Sequence, residues 1–391
     1  MKKVIYLILT AAMVLNLAAC GSNTKNSNED NSSAQDNAQE SESSDNSDSE
    51  DADKPETVTV TSLNGAGESV EVTVPYDPQR IVVVDMASLD ILDNLGLGDR
   101  VVGSSTTALD YLQDYVNNDN IENLGTIKEV DMETIMACEP DIIFMGGRMA
   151  ESYDALSEIA PVVRLTSDTE LGLVESVRKN ATTIASIFGL EDEVEEKMAG
   201  FQERIEALKA VSEGKTAIVG MCTSGSFNVL GNDGRCSIIG VECGFENVGV
   251  SVASSESGSG RGNKGSEGGE NSERSHGDDS SEGGEGSRGG DSSEAQESQG
   301  TTATHGNEAS FEYIVSLDPD YIFVMDRDAA IGTEGAKLAP EIMENELVMS
   351  TDVYKNGNII YLEHPGVWYT AEGGITALDM MLADLESVLL K

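Results

Sequence analysis

The amino-acid sequence predicts an α/β protein with two similar lobes, and three features point there. Short continuous apolar runs alternate with amphipathic stretches, the pattern of buried parallel strands and their covering helices. A helical pattern runs from Leu173 to Val211 between two such regions. Residues 132–148, METIMACEPDIIFMGGR, and 311–327, FEYIVSLDPDYIFVMDR, match without gaps at 7 of 17 positions. Each copy reads as helix, Pro-Asp turn, buried strand and then Arg. The two halves are therefore expected to share a fold, with Arg148 and Arg327 in equivalent places.

The elements follow in order. Met1-Lys2-Lys3 is basic, and Val4 to Leu15 is almost wholly apolar but short for a spanning helix. The run ends in Leu17-Ala18-Ala19-Cys20-Gly21, which resembles a bacterial lipobox. That resemblance implies a signal peptide over residues 1–19, cleavage before Cys20, and lipid on its thiol and amine. The chain is then expected at the extracellular face of the cytoplasmic membrane, anchored by Cys20. A plain secretory signal with an incidental Cys20 is the alternative. Residues 20–57 read as an acidic, disordered tether; 21–57 hold 11 acidic and 2 basic residues.

Val58 to Thr61 and Val70 to Val74 alternate as half-buried strands do, and Pro75 and Pro78 break the pattern. Ile81 to Val84 is a strand buried on both faces. An amphipathic helix follows through Ala87, Leu89, Ile91, Leu92 and Leu95, ended by Gly96 and Gly98. Val101-Val102-Gly103, Ile142-Ile143-Phe144 and Val162-Val163 continue the alternation, so 58–172 form the N-terminal α/β lobe. Residues 173–213 are the inter-lobe helix, with Val177, Ala181, Ile184 and Phe188 on a face that Val194, Met198, Ile205 and Leu208 continue past Gly189. Residues 214–391 form the C-terminal α/β lobe. It is interrupted by a disordered Gly/Ser insertion at 252–303, of which 254–300 hold 11 acidic and 4 basic residues.

A net charge of −47 excludes a nucleic-acid partner, since little here could neutralise phosphates. Besides Cys20 there are Cys138, Cys222, Cys236 and Cys243, with no CxxC pair. Cys138 and Cys222 read as core; whether Cys236 and Cys243 bridge is open outside the cell. Ligands of open α/β sheets bind beyond the carboxyl ends of the strands. Arg148 and Arg327 lie there, so two facing lobes would aim both into one cleft. No GxSxG nucleophile elbow occurs, and Gly214-Lys215-Thr216 precedes a strand rather than the helix a phosphate loop needs.

The lipobox, the segment VPYDPQRIVVVDMASLDILDNLGLGDRVVG, the PDIIFMGGR and PDYIFVMDR strands and the final NGNIIYLEHPGVWYTAEGG together resemble ferric-siderophore-binding lipoproteins of ABC importers, nearest the catecholate, enterobactin- and petrobactin-type group. The resemblance covers most of 58–391 apart from the insertion. It implies two Rossmann-like lobes joined by one long rigid helix, the helical-backbone periplasmic binding protein fold, acting as a monomer. It implies no catalysis and no permanent cofactor. The protein captures an Fe(III)-siderophore and presents it to an ABC permease and its ATPase.

By motif, Arg148, Arg235 and Arg327 would hold the anionic chelate with Trp368 beside them, His305 and Tyr369 would reach the iron, and Glu133 and Glu312 would dock on the permease. Fe(III) is a hard ion for which a phenolate is apt and an imidazole acceptable. His276 lies in the acidic insertion and His364 in a turn before Pro365; neither is expected to bind. A haem or corrinoid receptor of the same fold is the alternative, and a lipid-anchored hydrolase a more distant one.

Overall fold

The two halves joined by the internal repeat form two separate sheets. The computed structural model describes residues 54–250 and 306–391. Cys20 and the 1–19 leader, nearly all of the tether, the 252–303 insertion with His276, and His305 lie outside the described residues. Both sheets belong to one unit of the chain, Asp53–Lys391.

A hairpin comes first: β1 (Thr57–Leu63) pairs antiparallel with β2 (Ser69–Pro75), and Val60 and Val74 supply its buried side. The N-terminal sheet is wholly parallel. It contains β3 (Ile81–Val83), β4 (Val101–Ser104), β5 (Glu122–Asn123), β6 (Ile142–Met145) and β7 (Val162–Arg164), in the order β5-β4-β3-β6-β7. β3 and β6 are buried throughout, as their unbroken apolar runs require. The chain builds outwards from β3 to one edge and returns to build the other, so its winding reverses at the β3–β6 pair.

The C-terminal sheet contains β8 (Thr216–Thr223), β9 (Ser226–Val229), β10 (Glu246–Asn247), β11 (Asn307–Glu308), β12 (Tyr321–Asp326) and β13 (Ile359–Tyr361). Its order is β11-β9-β8-β12-β13, with β10 also on β8. It is mixed: β9 runs antiparallel to both β8 and β11. Winding here reverses at the β8–β12 pair.

The repeat holds in detail. Helices Met132–Ala137 and Phe311–Ser316 are each 6 residues long and are N-capped by Asp131 and Ser310. Glu139 and Asp318, at the same repeat position, both take positive φ, 45° and 44°. The following Asp then ties down the first strand of its sheet. Asp141 accepts the Gln79 and Arg80 amides at 2.8 and 2.9 Å, and Asp320 accepts the Thr216 amide at 2.8 Å.

The inter-lobe segment departs from expectation. In place of one long helix over 173–213 there are three: Leu173–Phe188, Glu191–Lys197 and Phe201–Ser212. Gly189 ends the first in the left-handed region at φ 67°, where a Cβ would also meet the Tyr76 hydroxyl at 2.3 Å. Gly200, at φ 89°, opens the third. The apolar face runs on across both breaks because all three helices pack on one core.

Two carboxylates tie the halves together. Asp90, on helix Met86–Asn94, accepts the Thr376 and Ala377 amides at 2.9 Å each and so caps the final helix, Ile375–Leu389. Glu242 accepts the Leu173 and Val174 amides, also at 2.9 Å each, capping the first inter-lobe helix from the C-terminal half. Cys138, Cys222, Cys236 and Cys243 are all buried free thiols.

Candidate functional site

The two points of reversal place the site. Asp85 follows β3 and caps helix Met86–Asn94 by accepting the Ser88 amide at 2.9 Å. Arg148 follows β6 and Arg164 ends β7. In the other half Arg327 follows β12, its Nη1 3.2 Å from Thr223 Oγ1 at the end of β8. Arg235 precedes the short helix Ser237–Val241. Between β13 and the final helix, a single π-helical turn, Val367–Ala371, presents Tyr369.

Arg148, Arg235 and Arg327 converge on Tyr369. Its carbonyl accepts Arg148 Nη2 at 2.5 Å and Arg235 Nε at 3.2 Å, and its hydroxyl accepts Arg327 Nε at 3.1 Å. The guanidinium carbons of Arg148, Arg235 and Arg327 stand 4.9, 4.5 and 5.5 Å from the ring centroid. Burial pushes the Tyr369 phenol up, but the Arg327 hydrogen bond and the three positive charges outweigh it and leave the pKa below the usual phenol range. Burial, helped by repulsion from Arg148, lowers that of Arg235.

Asp328, 3% exposed, pairs with Arg327 at 3.5 Å, while the acids beside Arg148 and Arg235 are poor counter-charges. Burial drives Glu372 up to about 7 against the opposing pull of Arg235, and burial also raises Asp85. Arg164 is 7% exposed, donates to the Gly146 and Asn64 carbonyls, and has no carboxylate within ion-pair distance among the described residues. The result is concentrated, under-compensated positive charge at low dielectric, which favours a polyanion. Its cavity of about 450 Å³ is walled by Asp85, Arg148, Arg164, Arg235, Tyr369 and Glu372 among others. Among the described residues no group of three or more His, Cys, Asp or Glu is placed to hold a metal ion.

Thus Arg148, Arg235, Arg327 and Tyr369, singled out in the sequence, come together in the structure. Trp368 does not join them. It is 0% exposed, and its indole N–H donates to Asp384 at 2.8 Å inside the core. The turn that points Tyr369 at the arginines turns its neighbour away. His364, itself exposed, meets the same carboxylate, its Nδ1 2.6 Å from Asp384. Glu133 and Glu312 are both exposed, in the first turns of the two repeat helices.

Asp85, Arg164 and Glu372 were not singled out by the sequence. Arg164 carried a usable signal, since Val162-Val163-Arg164 ends a strand in Arg as the repeat strands are followed by one. Asp85 and Glu372 carried none beyond position, because their nearness to the arginines is set by sheet order.

Comparison with known proteins identifies the family. The model of the periplasmic binding protein family matches residues 81–258 and 284–365. The chain belongs to that family. The petrobactin-binding protein YclQ of Bacillus subtilis is 29% identical over 320 residues, 81% of this chain and 84% of the relative. The ferric-anguibactin-binding protein FatB of Vibrio anguillarum is 25% identical over 315 residues, 79% of this chain and 81% of the relative. Among solved structures, YclQ superposes with TM-score 0.66 at 28% identity, covering 85% of this chain and 99% of that one. The periplasmic catecholate-siderophore binding protein VctP of Vibrio cholerae gives 0.64 at 28%, covering 84% of this chain and 100% of that one.

Proposed function

We propose that the protein captures a ferric siderophore, of catecholate type, in the cleft between its lobes and delivers it to an ABC importer for iron uptake. The observation that carries this is the convergence of Arg148 and Arg327, from equivalent strand ends of opposite lobes, on Tyr369, with Arg235 beside them. A ferric catecholate is a compact polyanion, and guanidinium groups give it charge-assisted hydrogen bonds. The names of YclQ, FatB and VctP support the same cargo. Haem or a corrinoid would be better served by an apolar cleft without clustered arginines. The site is a receptor rather than a catalyst, and the iron arrives and leaves as cargo.

In this reading the chelate replaces Tyr369 as the partner of the guanidiniums. A chelate that leaves coordination positions open draws the Tyr369 phenolate and the His305 imidazole to the iron. Glu133 and Glu312, one per lobe, dock the loaded protein on its permease, whose ATPase drives uptake. Lipid on Cys20 holds the mature protein, a monomer, at the outer face of the cytoplasmic membrane. The test is titration with ferric catecholates, ferric hydroxamates and haem, read by quenching of Trp368, the chain's single tryptophan. Saturable binding of the catecholates with weaker binding of the others is expected. Preference for haem would overturn the reading.

A further inference from the structure

A second cavity, of about 470 Å³, adjoins the arginine chamber, with which it shares Tyr369 and Thr370. Its chemistry is different. Met86, Leu109, Ile127 and Ile331 supply hydrocarbon walls, Thr106, Thr107 and Thr126 line it as well, and among the described residues Lys128 is its one charged lining residue. Both lobes build it: residues 86–128 come from the N-terminal half, and Ala330, Ile331, Gly366 and the Tyr369 turn from the other. Such a wall cannot hold the polyanionic iron centre, which would lose hydration there without finding enough donors. It can hold methylene groups; Thr106 and Thr126 give their hydroxyl protons to the Gly125 and Glu129 carbonyls, while Thr107, whose oxygen accepts the Leu109 amide, keeps its proton to donate to an amide carbonyl.

We propose that this chamber binds the uncharged, amide-linked hydrocarbon spacer of a multi-armed chelate whose iron centre sits among the arginines. The proposal rests on the ferric-chelate reading above. Continuity through Tyr369 commits the occupant to the same molecule as the arginine ligand. Lys128, with no acid beside it in the lining among the described residues, disfavours a cationic polyamine arm. The site therefore selects the connecting chain as well as the metal-binding groups.

The test compares two probes on the full mature chain. One is the ferric complex of 2,3-dihydroxybenzoate, which has no spacer. The other is the ferric complex of two 2,3-dihydroxybenzamides joined through pentane-1,5-diamine. Wild-type protein is expected to prefer the spacer-bearing probe. Ala108 is an exposed lining residue, so Ala108→Trp can fill the chamber without disturbing the core. It should cut that preference by about tenfold or more, the scale on which hydrophobic pockets discriminate. Ile331→Ser, which strips apolar wall, should cut it in the same direction. Arg148→Ala should weaken both probes and leave the preference in place.

Equal affinity for the two probes in wild type, or a preference that survives both chamber variants, overturns the proposal. So does an Ala108→Trp protein that binds both probes normally but fails in uptake, which would assign the chamber to a protein partner. Failure of wild type to bind either probe overturns instead the reading on which the proposal rests.

Discussion

Replacing Arg148 with Ala tests the central geometry, because this one side chain does two measurable things. Its Nη2 donates to the Tyr369 carbonyl at 2.5 Å and its guanidinium carbon lies 4.9 Å from the ring. In the complex, the same donors would face the chelate. Loss of a hydrogen bond to a charged group costs about 1.5–3 kcal/mol, so affinity should fall by roughly 10- to 150-fold. In the free protein, Arg148 is one of three cations that hold the Tyr369 phenol below its usual range, and its repulsion helps depress Arg235. Its removal should therefore raise the pKa of Tyr369. Affinity is read by Trp368 quenching, and phenol ionisation by ultraviolet difference titration against Tyr369→Phe, which identifies the signal. The fold should survive, since Arg148 sits in a cavity wall rather than in the packed core. Unchanged affinity together with an unmoved Tyr369 titration would refute the argument that the three guanidiniums act as one cluster.

The remaining expectations concern stability and docking. Burial raises Asp90 from 3.8 to about 6 and Glu372 from 4.5 to about 7, so the fold binds protons that the unfolded chain has released. Stability from these groups is thus full below the ordinary carboxylate range and is lost as pH rises through 6 to 7, worth roughly 3 kcal/mol for Asp90. Melting temperature should fall between about pH 4 and 7, and Asp90→Asn should flatten the part below about pH 6; an unaltered profile in that variant would count against the assignment. Trp368→Phe should cost about 1–3 kcal/mol by leaving Asp384 short of a buried donor, while chelate affinity, measured by calorimetry, stays near wild type. A large loss of affinity would return Trp368 to the site. Glu133→Arg with Glu312→Arg should preserve binding and abolish uptake in cells, since like charges would then meet across the interface; normal uptake would remove the docking role.

Much of this was legible in the sequence. Unbroken apolar runs such as Ile142-Ile143-Phe144 can be buried only in the middle of a sheet, so strand identity followed from solvation alone. The repeat set Arg148 and Arg327 after equivalent strands, because a helix, a Pro-Asp turn and a strand in the same order impose the same local geometry twice. The opposite fates of Trp368 and Tyr369 were not legible. Adjacent side chains in an irregular turn leave in directions set by its φ and ψ, and those were settled by what packs on each side: Asp384 behind, the arginines in front. The helical periodicity through 173–211 likewise reports only which residues face the core. Gly189 and Gly200 break the helix without turning that face away, so pattern and continuity come apart. Sequence by itself determined the strands, the doubling and the presence of arginines at the strand ends, all local consequences of solvation and backbone chemistry. Tertiary structure alone decided that Asp85, Arg164 and Glu372 join them and that an apolar chamber opens beside Tyr369, because these depend on sheet order and on how two lobes meet across hundreds of residues of chain.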